Sequence, residues 1–139
     1  MPQRDLYHNH VKHALEKDGW TITHDPLTLQ RQRKNLYADL GAERLISAEK
    51  GPQKIAVEIK SFVSKSDVKD LEQAIGQYIL YQQLLLEIEP ERRLYLAVTT
   101  KVFHSVFEAG LGDLLLARGL VRLLVFQAEQ EVITAWIPA

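Results

Sequence analysis

A mixed α/β architecture is expected of this chain: a β-sheet flanked by helices, in the order helix, three strands, helix, strand, helix, two strands. Residues 4–18, 67–87 and 103–118 repeat apolar side chains at helical spacing. Between them lie β-rich runs bounded by Gly, Pro and Asp, and Arg93–Thr99 is apolar enough to be central in a sheet. The length of 139 residues fits one domain, 1–139, that buries its core without disulfide or structural metal.

In the first helix Tyr7, Val11, Ala14 and Leu15 share a face, and Gly19 supplies the stop. Trp20-Thr21-Ile22-Thr23 alternates as a short strand does, and Asp25-Pro26 ends it. Residues 36–48 form a second strand region, broken at Gly41. Lys50-Gly51-Pro52-Gln53 is turn chemistry. Ile55–Phe62 is a third strand, with Ala56, Glu58 and Lys60 on one side and Val57 and Ile59 on the other. Ser66 caps the long helix, with Asp67 and Asp70 favourable to its dipole. Its core stripe runs Val68, Leu71, Ile75, Tyr78, Gln82, Leu85. Gly110 and Gly112 weaken the third helix. Val121–Phe126 and Val132–Ile137 close the chain as a hairpin through Gln127–Glu131.

The absence of cysteine excludes thiolate zinc sites, disulfide scaffolds and cysteine nucleophiles. The net charge of -1 argues against wholesale coating of nucleic acid but leaves room for a basic patch. The first sixty residues carry a surplus of basic groups and the remainder a surplus of acids, so phosphate contacts are expected in the N-terminal half. The start Met1-Pro2-Gln3-Arg4-Asp5 is polar and no apolar run approaches the roughly 20 residues of a membrane span, so a cytoplasmic protein is expected, without membrane contact.

Glu58-Ile59-Lys60 carries the most chemistry. Two residues apart on a strand, a carboxylate and an ammonium emerge on one face. With a turn near Lys50, Asp39 of the neighbouring strand falls roughly across from Glu58. Two carboxylates about 5 Å apart repel unless a cation sits between them. Mg²⁺ or Mn²⁺ suits such a pair, and a lysine nearby could orient the attacking water of phosphodiester hydrolysis. The plain alternative is a solvated Glu-x-Lys face whose ion pair is worth about 0–1 kcal/mol. Gln73, Gln77 and Tyr81 form a separate polar stripe on the long helix, from which Gln77 and Tyr81 could reach a metal-bound water and a phosphate. The alternative is a polar helix edge.

Arg31-Gln32-Arg33-Lys34 is a basic cluster ahead of the second strand, able to clamp phosphates or to remain a solvated loop. His8-Asn9-His10 is not an HNH nuclease motif, because adjacent helical residues point about 100° apart. His10 and His13 lack an identifiable third ligand and read as surface histidines. Glu43 and Glu49 are subordinate acids of the same hairpin.

Asp39…Glu58-Ile59-Lys60 followed by Gln77-x-x-x-Tyr81 resembles the PD-(D/E)XK nuclease superfamily, the restriction-endonuclease-like fold. More closely, Tyr7-His8-Asn9, Asp18–Pro26, Ala48–Gly51, Ile55–Phe62 and Gly76–Tyr81 resemble the XisH family of cyanobacterial fdxN element excision controlling factors. The match spans essentially the whole chain. It implies support of site-specific DNA excision during heterocyst differentiation, beside a separate recombinase and a small XisI-like partner. It also implies Asp39 and Glu58 as Mg²⁺ or Mn²⁺ ligands, Lys60 as catalytic lysine and Gln77 as supporting glutamine. His8 stands where many superfamily members carry an acid, and Ala38 replaces the proline before the first acid.

Three readings follow: a Mg²⁺-dependent endodeoxyribonuclease, a non-catalytic DNA-binding module using Arg31, Arg33, Lys34 and Tyr81, or a protein–protein adaptor acting with the XisI-like partner. A homodimer is the default assembly for a domain of this size.

Overall fold

The computed structural model describes residues 4–139; the polar start Met1-Pro2-Gln3 lies outside them. The elements are α1 (His8–Lys17), β1 (Thr21–His24), β2 (Leu27–Arg31), β3 (Lys34–Ala38), β4 (Leu40–Ser47), β5 (Gly51–Ile59), α2 (Asp67–Ile88) and β6 (Arg93–Thr99). Then come α3 (Thr100–Val102), a π-helical turn (Phe103–Glu108), α4 (Gly112–Ala117), β7 (Leu123–Gln127) and β8 (Val132–Ile137). Six strands form one mixed sheet in the order β1-β4-β5-β6-β7-β8, and β2 and β3 form a separate two-stranded ribbon. Strands β5, β6 and β7 run parallel. A parallel connection needs a crossover, and α2 supplies the first while α3 to α4 supplies the second. The expected class is therefore found, a mixed sheet with helices on both faces.

Two cores lie against the two faces of the sheet. On one, Leu71, Ala74, Tyr78 and Leu85 of α2 pack on Ala56, Leu94, Leu96 and Leu123, with Leu27 and Leu29 of the ribbon joining them. On the other, Val11 and Leu15 of α1 pack on Leu40, Val57, Ile59 and Phe126. Gly19, at φ +92°, lets the chain turn out of α1, and the Trp20 N–H returns to the Leu15 carbonyl. Among the described residues no helix is long and apolar enough to cross a membrane.

The detailed order departs from expectation before α2, where five strands stand instead of three. Leu27–Arg31, for which no strand was expected, pairs with Lys34–Ala38. The turn between them, Gln32-Arg33, has φ of +50° and +69° without the Asn or Gly that such a turn prefers, so its signal is hidden. The second strand region breaks at Asp39, not Gly41, as the chain passes from ribbon to main sheet. The third strand ends at Ile59, with Lys60 just beyond it. Val68, expected in the core, is exposed. The third helix is interrupted by the π turn. Its glycines do more than weaken it: a Cβ at Gly112 would sit 2.5 Å from the Phe107 ring, so the crossover packs this closely only without one.

Candidate active site

The β4–β5 pairing sets the site. Leu40 pairs with Val57 and Gly41 with Ala56, so Asp39 stands one step further out, opposite Glu58. The turn near Lys50 thus gives the register counted from the sequence. Alternation places Glu58 on the α2 side with Ala56, and there it is 4% exposed. Asp39 and Glu58 replace ladder bonds with side-chain bonds. The Asp39 N–H donates to Glu58 Oε1 (3.2 Å), and the Ile59 N–H donates to Asp39 Oδ2 (2.7 Å). Each carboxylate thus fixes the other's strand.

Burial followed by the Asp39 charge pushes Glu58 up to about 9, against a pull from Lys60. Burial also raises Asp39, opposed by the Ile59 N–H and by the charges of His8 and Lys60. Lys60 Nζ stands 3.8 Å from Glu58 Oε2 and keeps a quarter of its side chain exposed.

The long helix closes the site from above. Ser66 caps it by accepting the Lys69 N–H, as expected. Its buried stripe is Leu71, Ala74, Tyr78, Tyr81, Leu85, so Tyr81 belongs to the inner face and not to a polar edge. Tyr81 is 6% exposed. Burial and the charges of Glu58 and Asp39 raise its hydroxyl, so it stays a neutral donor beside the acids. Gln77 lies one turn earlier, with Oε1 buried and without a hydrogen-bond partner among the described residues. Gln73 points to solvent.

The first helix brings His8, 4% exposed, near enough for its charge to act on Asp39. Its Nε2 meets Asp25 Oδ1 at 2.7 Å, and Lys12 Nζ meets Asp25 Oδ2 at 3.1 Å. Burial pushes the Asp25 carboxyl up, but Lys12, His8 and Arg4 outweigh it and hold it below the usual range. Asp5 accepts the Ser61 N–H (3.1 Å) and so ties the start of α1 to the segment after Lys60. Sequence reading missed Asp5 and Asp25. Asp25 carried a signal only as a turn residue before Pro26.

The remaining candidates stand apart. Arg31, Arg33 and Lys34 surround the exposed tip of the β2–β3 ribbon, and Arg31 pairs with Glu87 at 2.9 Å. Glu43 lies across from Lys54, with Arg92 4.0 Å away, and Glu49 sits in the β4–β5 turn. His13 bonds Glu131 at 2.9 Å, and His10 packs edge-on against Tyr7. None of these residues joins Asp39 and Glu58.

The fold and this centre define a mixed-sheet α+β protein with an acidic pair, Glu58 buried and Asp39 half-buried, and an adjacent lysine at the end of a parallel strand. A family model described as XisH protein matches residues 1–134, and the chain belongs to that family. An XisH family protein from Nostoc punctiforme has a similar structure, with TM-score 0.84, 42% identity and coverage of 95% of this chain and 98% of that one. A fdxN element excision controlling factor protein from Anabaena variabilis gives TM-score 0.85 and 43% identity over 96% of this chain and 99% of that one. The comparison with curated proteins returned no match.

Proposed function

We propose that this protein acts in DNA element excision as a divalent-cation-dependent endodeoxyribonuclease of the PD-(D/E)XK type. The observation that carries the reading is the Asp39–Glu58 pair, held side by side across two strands with Lys60 3.8 Å from Glu58. The relative from Anabaena variabilis, named for control of fdxN excision, supports the biological setting.

The donor set fits Mg²⁺ or Mn²⁺. Oxygen donors from two adjacent carboxylates match a hard cation that keeps waters and takes a substrate phosphate. Burial holds one proton on the pair at neutral pH, and a doubly charged ion is the natural replacement for it. Asp39 and Glu58 would hold the ion, and His8 of α1 stands near Asp39 as the first-helix residue. The bound ion supplies Lewis acidity toward a phosphate oxygen and acidifies a water.

The protein's own groups supply the rest. Lys60 places a positive charge beside Glu58, where it positions the attacking water and offsets charge growing on the phosphate. The Gln77 amide, with a free buried oxygen, orients that water. The Tyr81 hydroxyl, kept protonated by burial and by the charges of the acids, helps exclude bulk water from them. Arg31, Arg33 and Lys34 at the ribbon tip contact backbone phosphates without reading sequence. Cleavage of duplex, branched and single-stranded DNA with Mn²⁺, by the parent and by Glu58→Ala and Lys60→Ala, is the test. Activity lost in both variants is expected; equal cleavage by Glu58→Ala overturns the assignment.

A second reading, a protein–protein adaptor, draws on the outer face of α2, where Leu80 and Leu86 are at least half exposed. Co-purification with an XisI-like small protein, lost in Leu80→Glu, would favour it.

A further inference from the structure

We propose that the end of the sheet opposite Asp39 and Glu58 carries a second site, which binds a phosphate joined to a planar base, as in a nucleotide or a single strand of nucleic acid. The cleft, of about 380 Å³, is lined by Arg44, Arg93, Arg122, Trp20, Tyr95 and Trp136. That volume falls within the range of small-ligand pockets.

The register explains why these side chains converge. Ala42, Ile55, Tyr95 and Leu124 face the α1 core. Residues two positions away on the same strand share that face, which places Arg44, Gln53, Arg93 and Arg122 there too. Arg44 pairs with Gln53, Leu124 pairs with Trp136, and Arg122 stands one step beyond the Leu96–Leu123 pair, opposite Tyr95. Helix α1 covers only part of this face. Its ten residues span about 15 Å, whereas β5 has nine residues and is twice as long. The row therefore lies open at the N-terminal ends of β6 and β7. Glu58 is five residues from Gln53, about 16 Å along β5, and on the other face. The two sites are separate, and this one does not rest on the nuclease reading.

Charge and shape together select the ligand. Neither Arg93 nor Arg122 has a carboxylate partner among the described residues, and Arg44 has Asp18 alone, at 3.6 Å. Converging guanidinium groups repel one another and favour an anion, which they grip through paired N–H groups. The aromatic floor is rigid. Trp136 packs edge-on against Tyr95 at 4.9 Å and tilted against Trp20 at 5.7 Å, while Arg44 lies 4.5 Å over the Trp20 ring. Trp20 and Tyr95 are buried and brace Trp136, whose partly exposed ring beside these cations suits a base attached to a phosphate.

Both tryptophans of the chain line this cleft, so intrinsic fluorescence reports on it directly. Thymidine monophosphate, a short oligothymidylate and inorganic phosphate are titrated into the full chain. Quenching by the nucleotide, the oligonucleotide or both is expected; the oligonucleotide alone would identify a strand as the source of the phosphate. Inorganic phosphate should compete with either. Arg93→Gln and Arg122→Gln should each weaken binding about tenfold, Arg122→Lys should fall between, and Glu72→Gln, on the exposed side of α2, should bind as the parent does. Melting curves of each variant separate loss of binding from loss of fold. No quenching by either probe overturns the proposal, as does equal affinity in both glutamine variants or equal affinity for polyglutamate.

Discussion

Tyr78 fastens the backbone of Arg122. Its hydroxyl accepts the Arg122 N–H at 3.0 Å and donates to the Leu94 carbonyl at 3.1 Å, so one side chain of α2 bridges the beginnings of β6 and β7. Parallel strands have no tight turn to align them, and this bridge sets their stagger before the ladder starts. Tyr78→Phe leaves a buried carbonyl and an N–H without partners. The expected cost is about 2 kcal/mol, lowering Tm by roughly 5 °C. Urea denaturation with an unchanged slope checks that stability alone has moved.

The acidic pair makes the metal-free protein less stable as pH rises. Folded Glu58 keeps its proton up to about 9, while the unfolded chain releases it from 4.5. The unfolded state therefore binds fewer protons through that window, and stability from this group falls from pH 5 toward pH 9. Glu58→Gln keeps the acceptor for the Asp39 N–H and removes the charge. It should flatten the slope and stabilise the EDTA-treated protein at pH 8 by about 2 kcal/mol or more. Thermal melts of both proteins across this range decide it.

Cation binding should expel the proton held by the pair. Calorimetric titration of Mn²⁺ at pH 7.5 should show heats that change with the ionisation enthalpy of the buffer, corresponding to about one proton released. Asp39→Ala and Glu58→Ala should abolish both the heat and its buffer dependence. Buffer-independent heats would place the ion elsewhere.

The ribbon tip is strained by its own sequence. Gln32 and Arg33 hold the left-handed conformation that Asn and Gly adopt readily. The double change Gln32→Asn, Arg33→Gly should stabilise the fold by about 1 kcal/mol. If Arg33 contacts phosphate, DNA affinity should fall and the salt dependence should weaken by about one charge. Melting and filter binding at two salt concentrations read the two effects separately.

What could be read in advance followed from local rules. Asp39, Glu58 and Lys60 came together because a short turn at 48–50, ahead of Gly51-Pro52, fixes a hairpin register, and alternation then assigns faces. The ribbon escaped notice because its turn lacks Gly and Asn. Tyr81 was placed on a polar stripe because α2 is apolar on nearly every side, with Ile79, Leu80 and Leu86 facing solvent. Two stripes therefore fit the sequence. The ribbon leucines Leu27 and Leu29, themselves unforeseen, extend the core over Tyr81 and settle which stripe is buried. The His8–Asp25 bond joins a helix to a distant turn, and no periodicity within either segment encodes it.

The two ends of the sheet also differ in how the chain must close upon itself to make them. Asp39 and Glu58 are 19 residues apart and meet within one hairpin. Trp20 and Trp136 meet only when nearly the whole polypeptide has folded back, since β8 is the last strand. By loop-closure entropy the second meeting costs roughly 1.5 kcal/mol more than the first. The acidic centre is thus a product of neighbours, insensitive to the fate of the final hairpin. The arginine cleft is a product of distant segments brought together, and its integrity certifies that the sheet has been completed.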